Sequence, residues 1–189
     1  MIFTDPPYLK RYIETYRFLA DEASRLLKPG GFVATMCGES YLDMIMDYFK
    51  ASGLKYYWLY TLGLAGRGAT CWRSNGHKNM PIGTPVKHVL VYSQGPAVSR
   101  TATTGFYKSN GKDKEWHTWG QDVDSHRYWI DCFSWPSDLI LDPFCGGGTT
   151  GVVCELLGRR SILMDIDPQA LQTTQQRIRG LPLLGGCDD

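Results

Sequence analysis

The stretch that most constrains this chain runs from Leu139 to Asp167 and reads LILDPFCGGGTTGVVCELLGRRSILMDID. An apolar run ends at Asp142, a glycine-rich turn follows at 146–148, and apolar residues then recur at helical spacing. A second apolar run ends at Asp165. This order of strand, glycine turn, helix and strand predicts an α/β fold in which backbone N–H groups approach a ligand at the start of the helix.

Three of these glycines, Gly146, Gly148 and Gly151, spell GxGxxG. The pattern alone is weak and also fits a dinucleotide enzyme such as an NAD-dependent dehydrogenase. Asp165 follows Gly146 by 19 residues, at the end of the next predicted strand, where an acid can bind a ribose diol. A glycine turn without a ligand is the alternative, and the strand, helix and acid around the turn argue against it.

A second motif, Asp5-Pro6-Pro7-Tyr8, follows a short apolar start. Two consecutive prolines cannot lie inside a helix or a central strand, so they predict a rigid turn at the end of a first strand. The turn would hold Asp5 and Tyr8 in set positions; a plain proline turn capped by Asp5 is the alternative. If the strands that end at Asp5 and Asp142 are neighbours, both motifs lie at the edge where open α/β sheets bind ligands.

Apolar periodicity and glycine or proline punctuation predict the remaining elements. Helices are predicted over residues 11–27, 41–51, 128–135 and 167–179, and strands over 32–36, 55–64 and 86–92. The last two strands form a hairpin with a long basic tip, and residues 97–121 show little periodicity. A chain of 189 residues with this pattern predicts one α/β domain.

The charge of the chain is unevenly distributed. The net charge is +1, yet residues 48–112 contain nine basic residues and no acidic one, which leaves 11 basic and 19 acidic residues elsewhere. A basic third in a near-neutral protein indicates a face that binds a polyanion. Arg67, Arg73 and Lys78 are the candidate nucleic-acid contacts; a solvated loop that happens to be basic is the alternative.

Aromatic and basic residues are interleaved in the stretch before residue 121. Phe106, Tyr107, Trp116 and Trp119 lie among lysines, which suits the stacking of rings on single-stranded or flipped nucleotides. The equal alternative is that these rings cover the core.

The six cysteines form no CxxC pair and no ligand-like spacing with the four histidines, so no metal site is predicted. Several lie in apolar stretches, and a reduced, cytoplasmic setting is expected. The sequence shows no signal-peptide pattern and no apolar run of membrane-spanning length.

The two motifs in this order, DPPY at 5–8 and DPFCGGGTT at 142–150, resemble those of the amino-group DNA methyltransferases, which modify adenine N6 or cytosine N4. The catalytic motif precedes the cofactor motif, as in the permuted β group of that family. The segment LKPGG at 27–31 and the strand KHVLVYSQG at 87–95 are also similar to the family.

The resemblance implies a Rossmann-like, circularly permuted α/β sheet with helices on both faces that binds S-adenosyl-L-methionine. The methyltransferase domain would span residues 1–189, with a catalytic half at 1–95, a short target-recognition insert at 96–124, a cofactor half at 125–179 and a tail at 180–189. One helix and no strand follows the second apolar run, so one edge strand of the usual seven is expected to be absent. Such an open edge would offer a contact for a second copy or a partner subunit.

The resemblance also assigns roles to matching positions. The target-amine site would be formed by Asp5, Pro6, Pro7 and Tyr8. The S-adenosylmethionine pocket would be lined by Asp142, Pro143, Phe144, Gly146, Gly148 and Thr149, with Asp165 on the ribose. A DPPY sequence is similar to the adenine-N6 members, and cytosine N4 stays open.

An exocyclic aromatic amine is a poor nucleophile, because its lone pair is conjugated into the ring. The resemblance implies that the Asp5 carboxylate and the Pro6 carbonyl accept its two N–H bonds, while Tyr8 stacks on the extruded base. The expected activity is methylation of adenine N6 in DNA, in a bacterial or phage restriction-modification setting. A catalytically idle subunit that binds the cofactor or nucleic acid, and RNA as the substrate, are the remaining alternatives.

Overall fold

The computed structural model describes residues 1–64, 85–109 and 122–181. The predicted nucleic-acid contacts Arg67, Arg73 and Lys78 lie outside these ranges, as do Trp116 and Trp119.

The strands and helices follow the predicted order along the chain, with one additional strand at 106–108. The strands are β1 (Ile2–Thr4), β2 (Phe32–Cys37), β3 (Lys55–Gly63), β4 (Val86–Ser93), β5 (Phe106–Lys108), β6 (Leu139–Asp142) and β7 (Arg160–Leu163). The helices are α1 (Glu14–Leu26), α2 (Leu42–Ala51), α3 (Val123–Phe133), α4 (Thr149–Leu156) and α5 (Pro168–Arg179). A short 3-10 turn, Lys10–Tyr12, precedes α1.

Helix α3 begins five residues before the predicted start at residue 128. Its N-cap is Asp122, whose side chain accepts a hydrogen bond from the Asp124 backbone N–H at 3.0 Å. The buried face of the first turn consists of the polar residues Ser125 and His126. The apolar spacing that predicts a helix is therefore absent there, and the predicted start of α3 is too late.

The seven strands form one mixed sheet in the order β5-β3-β4-β2-β1-β6-β7. Strand β1 lies parallel to both β2 and β6, and Ile2 pairs with Leu141. The adjacency that the two motifs require is therefore confirmed. Because parallel neighbours end at the same edge, Asp5 and Asp142 lie at one edge of the sheet.

Helices cover both faces of the sheet. On one face, Phe3 of β1 packs in a cluster with Trp129 of α3 and Val153 of α4. On the other face, Ile2 of β1 packs in a cluster that includes residues of α1 and α2. The sheet with helices on both faces agrees with the predicted α/β class.

The strand count corrects one expectation. We expected fewer than seven strands, but β5 adds a parallel edge strand beside β3. It spans only three residues, of which the central Tyr107 is partly buried, so its alternation is too short to predict a strand. At the opposite edge, no strand follows β7 within residues 1–64, 85–109 and 122–181.

The aromatic stretch around β5 divides between core and surface. Tyr107 stacks on Tyr128 of α3 with ring centroids 4.8 Å apart, which supports the core-covering alternative for this ring. Phe106 is 54% exposed and lies against Gly63, where an added Cβ would approach its ring to 2.7 Å. Tyr107 therefore covers the core, whereas stacking of the exposed Phe106 ring on a nucleotide stays a prediction.

Two arginines tie α3 to the rest of the domain. Arg159, which is buried, donates to Asp131 Oδ1 at 3.1 Å and to the Ser134 carbonyl at 3.0 Å. Arg100 pairs with the other oxygen of Asp131. Since a buried charge needs a partner, Asp131 holds two chain segments against the end of α3.

The cysteines at 37, 132, 145 and 154 are free and buried. Among the residues that the structure describes, no helix has the length and hydropathy needed to cross a bilayer.

Candidate active site

The glycine-rich turn connects β6 to α4. Gly148 is the N-cap of α4 and has φ +77°, a left-handed conformation that side chains rarely adopt. An added Cβ there would lie 2.7 Å from the Thr174 side chain. Both the backbone and the neighbouring helix therefore require glycine at this position.

Helix α5 holds the carbonyl groups of this turn. Thr174 Oγ1 donates to the Gly146 carbonyl at 2.9 Å. The buried Arg177 donates from Nη1 to the Gly147 carbonyl at 3.0 Å and to Thr149 Oγ1 at 3.1 Å. The backbone of the turn is thus fixed before any ligand binds.

Asp142 lies beneath the turn and is almost fully buried. Its Oδ1 accepts from Thr4 Oγ1 at 2.6 Å and from the Phe144 N–H at 3.1 Å, and its Oδ2 accepts from Thr150 Oγ1 at 2.5 Å. Burial raises the pKa of Asp142 to about 6, although these hydrogen bonds act in the opposite direction. Asp142 joins β1, the turn and α4, a structural role that the sequence did not predict.

Asp165 follows β7 and faces the same turn. Its Oδ2 accepts from the Gly146 N–H at 2.9 Å, and its Oδ1 accepts from the Asp167 N–H at 2.9 Å. A carboxylate has about four acceptor positions, so further positions remain for sugar hydroxyls. The neighbouring Ile166 side chain is 100% exposed and offers an apolar surface beside this carboxylate.

The other predicted cofactor residues surround the same turn. Pro143, Phe144 and Gly146 are half-buried, and Thr149 is buried with its hydroxyl on Arg177. A fixed glycine turn, an anchored carboxylate with spare acceptor positions and an exposed apolar side chain together fit a nucleoside. Ile166 and Arg177 are additions to the predicted set, and only their spacing from the glycine turn could have indicated them.

The DPPY motif follows β1 directly. Tyr8 donates from its hydroxyl to Asp5 Oδ1. Lys87 of β4 places Nζ 3.4 Å from Asp5 Oδ2 and 4.9 Å from the centroid of the Tyr8 ring. The acidic and aromatic residues of the motif are thus held together, and a lysine 82 positions away contacts both.

The Pro6 carbonyl is held by a buried tyrosine of α1. Tyr16 is fully buried, and its hydroxyl donates to the Met36 carbonyl at 3.0 Å and approaches the Pro6 carbonyl at 3.4 Å. Burial raises the pKa of Tyr16 far above its ordinary value, and burial and Asp5 raise the pKa of Tyr8 as well. Both phenols are therefore neutral donors at physiological pH.

His126 of α3 lies below the motif, with its ring edge-on to Phe3 at 5.0 Å. Burial lowers its pKa to about 4, so the ring is neutral at physiological pH. The positive charge that faces Asp5 at that pH therefore comes from Lys87 and not from this histidine.

The comparisons with known proteins point to one family. The family model described as DNA methylase, N6_N4_Mtase, matches residues 1–176. The type II methyltransferase M.HpaI of Haemophilus parainfluenzae is 24% identical over 94% of this chain and 67% of its own length.

Two solved structures share the fold. The M1.HpyAVI–SAM complex has a TM-score of 0.72 at 23% identity, over 93% of this chain and 87% of its own. The PvuII DNA methyltransferase, which is cytosine-N4-specific, has a TM-score of 0.76 at 16% identity, over 98% of this chain and 80% of its own.

Proposed function

Because this chain belongs to the N6/N4 DNA methylase family, we propose that it methylates the exocyclic amine of adenine in DNA. The observation that carries the proposal is the contact between the two motifs. Thr4, which precedes Asp5, binds Asp142 at the base of the glycine turn. An acceptor for an amine and a fixed nucleotide-type site therefore adjoin at one edge of the sheet.

S-adenosyl-L-methionine is the cofactor of this reaction, and when bound it supplies an electrophilic methyl group on a sulfonium centre. In our proposal the remaining acceptor positions of Asp165 bind its ribose hydroxyls, and Ile166 contacts its adenine. The glycine turn, held by Thr174 and Arg177, presents backbone at the start of α4. These residues bind and orient the cofactor, and none of them changes its own charge during the reaction.

The target base is proposed to leave the duplex before it reacts, because its amine is otherwise buried in the base pair. Its two N–H groups then donate hydrogen bonds to Asp5 Oδ1 and the Pro6 carbonyl. These two hydrogen bonds draw the nitrogen lone pair out of conjugation with the ring of the base. The Tyr8 hydroxyl occupies Asp5 Oδ1 in this structure, so the amine must displace it. The Tyr8 ring is then available to stack on the base. When the amine nitrogen takes up the methyl group, the bond from that methyl to the sulfonium would break and leave a neutral thioether, and one amine proton would pass to Asp5 Oδ1.

Adenine is proposed ahead of cytosine because the motif is DPPY, which is similar to the adenine-N6 members. Cytosine N4 is the second candidate, since both amines present the same pair of N–H donors. The basic residues Arg67, Arg73 and Lys78 are proposed to contact the DNA backbone. We also propose that residues 1–95 form the catalytic half, residues 96–124 a target-recognition insert and residues 125–179 the cofactor half.

The direct test incubates the isolated chain with S-adenosylmethionine and PCR-amplified DNA, which carries no methylated base. Mass spectrometry of the digested nucleosides should then detect N6-methyladenine. N4-methylcytosine alone would replace the proposed target base by the second candidate. Absence of both products, in a protein that binds S-adenosylmethionine, would contradict an active enzyme and favour a subunit that needs a partner; a parallel RNA sample tests the other substrate.

A further inference from the structure

We propose that Lys87 is a positioning residue for the methyl transfer, which fixes both the Asp5 carboxylate and the Tyr8 ring. The proposal rests on the proposed function, because it concerns the same amine site. Neither the DPPY motif nor the glycine turn includes this lysine.

The sheet order brings Lys87 to the site. Strand β4 runs antiparallel to β2, and Cys37, the last residue of β2, pairs with His88. Lys87 therefore lies just beyond the end of β2, at the edge of the sheet where β1 also ends. From there its side chain passes the end of β2 and reaches the DPPY motif on the next strand.

The contacts made by Lys87 can orient the Asp5 carboxylate and the Tyr8 ring. Its Nζ pairs with Asp5 Oδ2, whereas the Tyr8 hydroxyl donates a hydrogen bond to Asp5 Oδ1. If Lys87 keeps Oδ2, then Oδ1 is the oxygen that faces an incoming amine. The same ammonium lies 4.9 Å from the centroid of the Tyr8 ring, within the range of a cation–π contact. One cation thus sets the direction of both the acceptor and the stacking ring.

Other roles for Lys87 fit the structure less well. Its side chain is only 13% exposed, and that of Asp5 is 16% exposed, so a contact with a DNA phosphate would require the lysine to leave the pair. A cation so near the amine also opposes the positive charge that develops there. Its contribution must therefore come from geometry, and a displacement of about 1 Å at a reacting group can reduce a rate by roughly 100-fold.

The first experiment compares single-turnover rates of the full chain at saturating S-adenosylmethionine on DNA that the wild type methylates. Lys87→Met removes the charge and the donor, and the rate should fall by about 10- to 100-fold. Lys87→Arg restores a cation and should recover most of that loss. Lys28→Met is the matched control, because Lys28 is exposed, lies outside the acid-free stretch and precedes β2 at the end of the sheet away from the site; its rate should equal that of the wild type.

A second measurement separates positioning from general structural support. Asp5→Asn keeps one oxygen acceptor but loses the charge that Lys87 pairs with, so its activity should fall yet stay measurable. If Lys87 acts through Asp5, Lys87→Met should change the rate of the Asp5→Asn protein by less than about threefold. Melting temperature and S-adenosylmethionine affinity should stay near those of the parent protein in each comparison. If Lys87→Met does not fold, Lys87→Gln replaces it in both backgrounds, with the same expectation.

Two results would overturn the role of Lys87. One is a wild-type rate in the folded Lys87→Met protein. The other is the same fold loss in the wild-type and Asp5→Asn backgrounds, which would mean that Lys87 acts independently of Asp5. Either result leaves an active wild type and so leaves the proposed function standing; a wild type without any methyl transfer would instead contradict the proposed function.

Discussion

Thr4 donates a hydrogen bond from Oγ1 to Asp142 Oδ1 across 2.6 Å, and this contact joins β1 to the glycine turn. The residue that follows Thr4 is Asp5, and the residue that follows Asp142 is Pro143 of the turn. The two motifs are therefore coupled through the ends of neighbouring strands, with no intervening loop.

Thr4→Val keeps the shape of the side chain and removes this donor from a buried carboxylate. We expect the free energy of unfolding to fall by about 1.5–3 kcal/mol, the range for a hydrogen bond to a charged group. Thr35→Val is the control, because Thr35 is equally buried, pairs with Thr4 and donates only to the Met36 carbonyl at 3.2 Å. Equal losses in urea denaturation of the two variants would contradict a special role for the Thr4 contact.

The pKa of Asp142 makes stability depend on pH. Burial raises it from 3.8 to about 6 in the folded chain, so the folded state binds this proton more tightly than the unfolded state. The resulting stabilisation is complete below pH 3.8 and is lost as the pH rises through 6. The shift of about two units corresponds to roughly 3 kcal/mol.

Asp142→Asn has no such proton to release. We expect the difference in unfolding free energy between the wild type and Asp142→Asn to move in favour of the variant between pH 4 and pH 7. Urea denaturation at several pH values checks this, since groups other than Asp142 contribute equally to both proteins. A difference that stays constant with pH would contradict the raised pKa.

The sequence predicted the elements of the fold that depend on neighbouring residues along the chain. Strands β1 and β6 are apolar runs followed by Asp-Pro turns, proline and glycine follow the C-terminal end of α1, and glycines precede α4. Local spacing was sufficient for these elements, because their causes lie within a few residues.

Contacts between distant residues were not predictable in the same way. Lys87 meets Asp5 across 82 positions and Thr4 meets Asp142 across 138, and both contacts depend on the order of strands in the sheet. The strand β5 was not predicted because its three residues are too few to show an alternating pattern, and its position depends on pairing with β3. Sheet order is a property of the whole chain, which periodicity does not specify.

Asp165 is expected to contribute directly to the affinity for S-adenosylmethionine. Asp165→Ala should weaken binding by about 1.5–3 kcal/mol, the range for a hydrogen bond to a charged group. Asp167→Ala is the control: Asp167 caps α5 through the Gln169 N–H at 2.9 Å, so its loss should lower stability and leave affinity nearly unchanged. Calorimetry measures the affinity of both variants. A larger loss of affinity in Asp167→Ala than in Asp165→Ala would contradict the assignment and make Asp167 the ribose contact.

The basic residues of the loop are expected to contribute to DNA binding through counterion release. Neutralising Arg67, Arg73 or Lys78 individually to Gln should reduce the slope of log affinity against log salt by about one. Arg25→Gln is the control, because Arg25 lies on α1 outside the acid-free stretch and pairs with Glu22 at 2.5 Å. Three loop variants with the wild-type slope would favour a solvated loop without a role in binding.

The central claim is that Asp5 activates the target amine. The deciding measurement is the single-turnover methylation rate of Asp5→Ala at saturating S-adenosylmethionine, on DNA that the wild type methylates. We predict a fall of at least about 100-fold, comparable to the loss of one preorganised electrostatic contact, with melting temperature and S-adenosylmethionine affinity nearly unchanged. A folded Asp5→Ala protein that binds S-adenosylmethionine and methylates DNA at a near-normal rate would contradict the claim.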